Sequence, residues 1–224
     1  MKKYKSIIFD CDGVILNSNK IKTASFRKIL KNFDARAVQE FIDYHENNGG
    51  LSRYIKLDYF LNTILPQYSE IPLNKKNMLL NLLQDYGNVC KKSLINSEVA
   101  KNLEKLKSIT KKIPWTIVSG GDQKELRDVF TKKNLYNYFQ GGIFGSPDKK
   151  IDIIQREEKF GLINYPAIYL GDSKLDYDVA KNLNIDFLFV TQWTDFKEYN
   201  SYCKENSIEM INSVSDLIAI FQAN

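Results

Sequence analysis

Ser6-Ile7-Ile8-Phe9-Asp10-Cys11-Asp12-Gly13-Val14 decides how the rest of the chain is read. A short apolar run is cut off by two acids with one residue between them. Apolarity without alternation is the pattern of a strand buried on both faces, as in a parallel sheet covered by helices on either side. Working outward, the same kind of run returns at Trp115-Thr116-Ile117-Val118, Gly142-Ile143-Phe144, Ala167-Ile168-Tyr169-Leu170 and Asp186-Phe187-Leu188-Phe189-Val190. Helical patterns over 99–109, 123–133 and 151–160 separate them. Strand and helix in alternation predict an α/β fold, a doubly wound parallel sheet.

Residues 18–94 break the alternation. They offer helical segments over 20–31, 35–46, 52–65 and 74–86 and no strand, so they are expected to form an inserted helical domain. The sheet domain is then 1–17 with 95–224. Asn17-Ser18-Asn19 at the first boundary has helix-capping chemistry. The net charge of +5 sits in this insertion: residues 17–95 hold 12 Lys and Arg against 7 Asp and Glu, and the remainder holds 20 against 20. A local surplus without a dense basic run argues against a nucleic-acid binder and fits either a solvated helical face or a lid that attracts an anion.

At 224 residues and 43% hydrophobic side chains the chain can bury a full core. No apolar run reaches the ~18 residues that cross a bilayer, and the start does not read as a signal peptide. Cys11, Cys90 and Cys203 are odd in number and far apart, with no zinc-ligand spacing. These features predict a cytoplasmic protein without a membrane or an obligate protein partner.

Ligands of such sheets sit beyond the carboxyl ends of the strands, so the residues that follow each strand belong together. Strand one leads to Asp10-Cys11-Asp12-Gly13, strand two to Ser119-Gly120-Gly121, strand three to Gly145-Ser146-Pro147-Asp148-Lys149-Lys150, and strand four to Gly171-Asp172-Ser173-Lys174-Leu175-Asp176. Phosphoryl transfer needs a nucleophile, a divalent ion, donors around the phosphoryl oxygens and a proton donor for the leaving oxygen. Asp10, Asp12 and Asp172 brought together would repel one another without a cation, and Mg²⁺ prefers oxygen ligands. Ser119 can donate its hydroxyl, a lysine can offset charge, and the glycines let backbone amides approach an anion.

As an ordered set, Asp-x-Asp-Gly-Val, Ser, Gly-Ser-Pro-x-x-Lys and Gly-Asp-Ser-x-x-Asp look like the four motifs of the haloacid dehalogenase-like hydrolase superfamily. The resemblance is to its phosphatases, the phosphoglycolate-phosphatase-like branch, whose helical cap is inserted after the first motif. It implies a Rossmann-like core, an aspartyl-phosphate on Asp10, and Asp12 as the acid and base. It also implies Mg²⁺ held by Asp10, the carbonyl of Asp12 and Asp172, with Asp176 in support. Ser119, Gly120 and Lys150 would bind phosphate, with Lys149 as the neighbouring alternative to Lys150. Asp12 argues against halide displacement, which needs no proton donor. The substrate class is a small phosphorylated metabolite, a sugar phosphate or related monoester.

Within the insertion, His45-Glu46-Asn47-Asn48-Gly49-Gly50-Leu51-Ser52-Arg53 resembles a cap signature of sugar-phosphate phosphatases, which assigns His45, Gly49, Gly50 and Arg53 to the substrate. His45 equally fits a packing histidine, and Arg53 and Lys56 fit solvated helix charges. Cys11, between the two acids, is expected to be structural. A phosphomutase using the same intermediate and a receiver-type phospho-acceptor module are the competing functions; receivers place their acceptor after a third strand, not the first.

Overall fold

In a computed structural model, residues 3–70 and 74–222 are described. The few remaining positions within the expected domain limits 1–17, 18–94 and 95–224 lie outside them. The core is a six-stranded sheet of β1 (Ser6–Phe9), β2 (Trp115–Asp122), β3 (Gly142–Ser146), β4 (Ala167–Gly171), β5 (Asp186–Val190) and β6 (Met210–Ile211). The order is β3-β2-β1-β4-β5-β6, every neighbouring pair being parallel. Ile7 pairs with Trp115 on one side and Ile168 on the other.

Apolarity without alternation has its reason in the two faces. Ile7, Phe9, Ile117, Ile168 and Leu170 join one hydrophobic cluster, and their chain neighbours Ile8, Val118 and Tyr169 join another, as the two-residue period of a strand requires. The first face is covered by α5 (Leu103–Ile109), α6 (Gln123–Lys132) and α10 (Leu217–Gln222), through Leu106, Phe130 and Leu217. The second is covered by α7 (Lys150–Lys159) and α8 (Lys174–Asn182), through Ile153 and Val179. A further helix, α9 (Tyr199–Glu205), lies between β5 and β6.

Between β1 and β2 the chain runs through α1 (Asn19–Leu30), α2 (Ala35–Asn47), α3 (Arg53–Tyr59) and α4 (Lys75–Ile95), with α5 following. Asp34 caps α2, Ser52 caps α3 and Asn74 caps α4. Phe26, Phe41 and Phe60 pack edge to face in their midst. The expected helix over 52–65 departs from α geometry at Phe60–Ile64, a π-helical turn, and ends in a 3₁₀ turn at Leu65–Gln67. The helix expected over 74–86 passes through Gly87 and continues to Ile95, because Tyr86, Cys90 and Leu94 keep one face buried. The helix expected from 99 begins at Leu103, after Asn102 in a left-handed conformation. No helix among the described residues is long and apolar enough to cross a membrane.

The capping expected of Ser18 does not occur. Ser18 precedes α1 without a side-chain cap bond; its hydroxyl donates instead to Asp12 Oδ1 at 2.6 Å. The neighbouring Asn19 donates to Asp172 Oδ2 at 2.8 Å. Of the three residues of the capping stretch, Ser18 and Asn19 are turned onto acids at the strand ends.

Candidate active site

β1 stands at the point where the strand order reverses, with β2 on one side and β4 on the other, and the crevice beyond its carboxyl end is where such sheets bind ligands. Asp10 follows β1 directly and is 2% exposed. Its Oδ1 accepts from the Cys11 amide at 2.7 Å and lies 3.0 Å from Lys150 Nζ. Burial pushes the Asp10 carboxyl up to about 7 against the pull of Lys150, with Asp176 and Asp12 adding to the rise. Asp172, after β4, is raised well above the carboxylate range by burial and then by Asp10 and Asp176.

One ligand oxygen from each of Asp10, Asp172 and Asp176 lies within 4.8 Å of the others. Asp176, on the first turn of α8, accepts from Lys150 at 2.6 Å, Tyr169 at 2.7 Å and Ser173 at 2.5 Å. Of the adjacent lysines, Lys150 is buried in this cluster and Lys149 is exposed. One lysine does not balance three carboxylates. Burial first, and the neighbouring acids after it, raise Asp10 and Asp172, and an all-oxygen, acid-rich donor set fits a hard divalent cation such as Mg²⁺.

Asp12 follows one residue behind Asp10, but its carboxylate stands outside the three-acid group. It is ion-paired with Lys22 of α1, accepts from Ser18, and has Ser119 Oγ 3.4 Å from Oδ2. Burial alone would raise Asp12; the charge and hydrogen bond of Lys22 and the bond from Ser18 outweigh it and hold the pKa below the ordinary value. Only the backbone carbonyl of Asp12 is left as a candidate metal ligand. Gly13, at φ +74, is required here, since a Cβ would come within 2.0 Å of Asp172 Oδ2.

A cavity of about 330 Å³ lies over these acids, walled on one side by Asp10, Asp12, Gly120 and Asp172 and on the other by the helical segment. Ser119, Lys150 and Asp176 are fully or nearly buried and stand behind this wall, not on it. Ser119 Oγ accepts from the Gly121 amide at 3.0 Å, which shapes the glycine turn that reaches the cavity. The helical wall touches the sheet closely: a Cβ on Gly120 would lie 2.1 Å from the carbonyl oxygen of Gly50.

His45, Gly49, Gly50 and Arg53 all line the cavity. Arg53, however, is not free to receive an anion. It is 6% exposed, donates from two nitrogens to Glu125 at 2.8 and 3.0 Å, and rests over the Tyr86 ring. The hydrogen bond and charge of Glu125, working against burial, drive its pKa further up. Tyr54 joins the helical segment to the end of β2, 2.8 Å to Asp122 Oδ2. Lys56, expected as a solvated helix charge, is instead 2% exposed and lines the cavity. Cys11 is fully buried in the core cluster, and burial raises its thiol.

Sequence reasoning did not find Lys22, Lys56, Asn19 or Glu125. For Lys56 a signal was present: Arg53, Lys56, Leu57, Phe60, Leu61 and Ile64 form one buried helical stripe, and cations on an apolar face are not solvated.

A family model for haloacid dehalogenase-like hydrolases matches residues 7–190. No curated protein matches the chain. Among solved structures, a predicted phosphoglycolate phosphatase from Haemophilus somnus is 19% identical over 98% of this chain and 99% of its own, with a TM-score of 0.74. A predicted phosphatase from Clostridium acetobutylicum is 18% identical over all of both chains, also at 0.74. A β-phosphoglucomutase from Clostridium difficile is 17% identical over 96% of this chain and 93% of its own, at 0.68. At these identities the likenesses establish the fold.

Proposed function

The chain belongs to the haloacid dehalogenase-like hydrolase family, and from that premise we propose that it is a Mg²⁺-dependent phosphatase that cleaves a small phosphorylated metabolite through an aspartyl-phosphate on Asp10. The observation that carries this reading is the buried grouping of Asp10, Asp172 and Asp176, under a cavity that Asp12 also lines. Asp10, the Asp12 carbonyl and Asp172 are the candidate Mg²⁺ ligands, with Asp176 behind them; the ion, when bound, draws charge from the phosphoryl oxygens.

The Cys11 amide and Lys150 hold the Asp10 carboxylate through Oδ1, and that carboxylate is the nucleophile in this reading. A bond forms from Asp10 to phosphorus as the ester P–O bond breaks, and Asp12 in its acid form gives its proton to the leaving oxygen. Asp12, now a carboxylate, takes a proton from water as that water attacks phosphorus, and the bond to Asp10 breaks. The Lys22 contact favours the carboxylate state that the second step uses. An incoming phosphate ester competes for Lys22 and so eases the protonation that the first step requires. Lys150 holds Asp10 in place, and Gly120 brings its backbone to the cavity wall, while the Gly121 amide is held by Ser119.

Residues 18–94 act in this reading as a cap, docked by Arg53 on Glu125 and Tyr54 on Asp122, that excludes water while phosphorus is transferred. Such closure keeps a phosphomutase as the second reading. Phosphate release from an aryl phosphate by the purified protein decides between them. Release is expected to need Mg²⁺, to stop with excess chelator, and to fall on the order of 10⁴-fold or more in Asp10→Asn. Metal-independent release that survives in the variant would refute the mechanism, and phosphoryl transfer between hydroxyls without net release would establish the mutase.

A further inference from the structure

A buried cation without an ion-paired carboxylate lies in the helical wall of the cavity. Lys22 has Asp12, Arg53 has Glu125, and Lys150 has Asp10 and Asp176. Lys56 is equally buried, and no carboxylate among the described residues is ion-paired with it. Taking an ammonium out of water without an ion pair is costly, and the site responds accordingly: burial, then the charge of Lys22, bring Lys56 down to about 7 against the weaker pull of Asp12.

What Lys56 does have is a bracket. Its Nζ lies 2.7 Å from His45 Nδ1 and donates to the His45 carbonyl at 3.2 Å. With Nδ1 accepting, the ring carries its hydrogen on Nε2, which is 3.1 Å from Thr23 Oγ1. Burial, then Lys56 and Lys22, hold His45 down at about 2, so it stays neutral and works as an acceptor. An ammonium has three hydrogens. His45 takes two of them, and the third remains for whatever fills the cavity that Lys56 lines.

We propose that Lys56, aimed by His45, determines specificity by binding a second anionic group of the substrate, a carboxylate or a second phosphate, distinct from the phosphoryl group transferred at Asp10. This rests on the phosphatase reading and narrows its substrate class to small phosphomonoesters that carry another negative charge. Arg53, the residue whose fork would otherwise suit such a group, is already committed to Glu125. Among the described residues of this wall that line the cavity, Lys56 is the cation with no ion-paired carboxylate.

The test compares matched probes on wild type, Lys56→Met and Lys56→Arg. In turnover with Mg²⁺, 2-phosphoglycolate is set against 2-hydroxyethyl phosphate, and a sugar bisphosphate against the monophosphate of the same sugar. The first pair tests a carboxylate and the second a second phosphate. Wild type is expected to favour the anion-bearing member of at least one pair by about tenfold or more in kcat/KM, through KM. Lys56→Met should lose that preference while changing the neutral member by less than about threefold, and Lys56→Arg should restore part of it. Equal losses on both members, or no wild-type preference in either pair, would overturn the proposal.

A second readout does not depend on turnover: calorimetric binding of ω-phosphonocarboxylates with two to five methylenes, each against its carboxamide, and of the corresponding bisphosphonates. Preference for a charged member in wild type that vanishes in Lys56→Met supports the subsite even where no ester is cleaved, in which case the phosphatase reading fails alone. Turnover of phosphate esters with no charge preference in either assay leaves the phosphatase reading standing and overturns the subsite.

Discussion

The strand ends and the helical wall opposite them are both buried and both charged, and they differ in how their charges are answered. At the strand ends Asp10, Asp176 and Lys150 lie in direct contact, and Asp12 has Lys22 and Ser18; the one surplus is negative, where a divalent cation fits. Among the described residues of the helical wall that line the cavity, the cation without an ion pair is Lys56, held by a neutral histidine. The difference separates two tasks. Groups that carry out one reaction on every substrate have their partners built in, whereas a group that distinguishes substrates has to leave a partner out.

The comparison breaks most readily at the acids. Asp12→Asn keeps the shape of the side chain and removes its proton chemistry. Turnover of an alkyl phosphate should fall about 10²–10⁴-fold, and that of an aryl phosphate, whose leaving oxygen needs less help from an acid, should fall less. Steady-state rates on the two esters measure this. Equal losses on both would mean that Asp12 acts on the water step alone or serves only to hold Lys22.

A smaller effect is expected where the two regions join. Arg53 and Glu125 form a buried, two-pronged pair between α3 and α6, and removing one member leaves the other charge buried alone. Glu125→Gln should destabilise the protein by roughly 3–5 kcal/mol in urea unfolding, and the double variant Arg53→Met/Glu125→Gln by less than the sum of the single changes. It should also raise KM for all esters alike, because docking of the wall is lost without a change in what the wall recognises. A charge-selective change in KM would place Arg53 on the substrate after all.

The sheet was legible because both of its faces are covered: each of the first five strands announces itself as an apolar run, and β1 and β5 have the limits their runs suggest. Short β6, at two residues, is too brief to show a pattern. The acids were legible from their order behind the strands. What the sequence concealed are the pairings across distance: Arg53 with Glu125 72 positions away, and Asn19 with Asp172 153 positions away. Local pattern carries no information on such partners, so Arg53 reads as a free cation and Asn19 as a cap until the fold brings their acids close. Lys56 is the intermediate case. Its place on the buried stripe of α3 is visible in the spacing, but the absence of a counter-ion appears only when the neighbours are in place.

The finest test of the contrast between the two regions is the proton on Lys56. Its folded pKa of about 7 lies below the 10.5 of an ordinary lysine, so between those values the unfolded chain holds a proton that the folded chain has released. Stability should therefore rise with pH across this window, while below about pH 7 the cost of the buried charge is fully present. Cys11 and Cys90, whose thiols burial raises, push the other way as the pH climbs, and Asp10 contributes below pH 7. The informative quantity is accordingly the difference between wild type and Lys56→Met, in which these common contributions largely cancel: the wild-type slope minus that of the variant should be positive from pH 7 to 10. A bound carboxylate or phosphate would return the proton to Lys56. At pH 8 the binding heat of an ω-phosphonocarboxylate should then depend on the ionisation heat of the buffer in wild type, with net proton uptake, and should show less uptake in Lys56→Met. Equal buffer dependence in the two proteins would mean that the anion does not reach Lys56, and the helical wall would then carry a charge for packing alone.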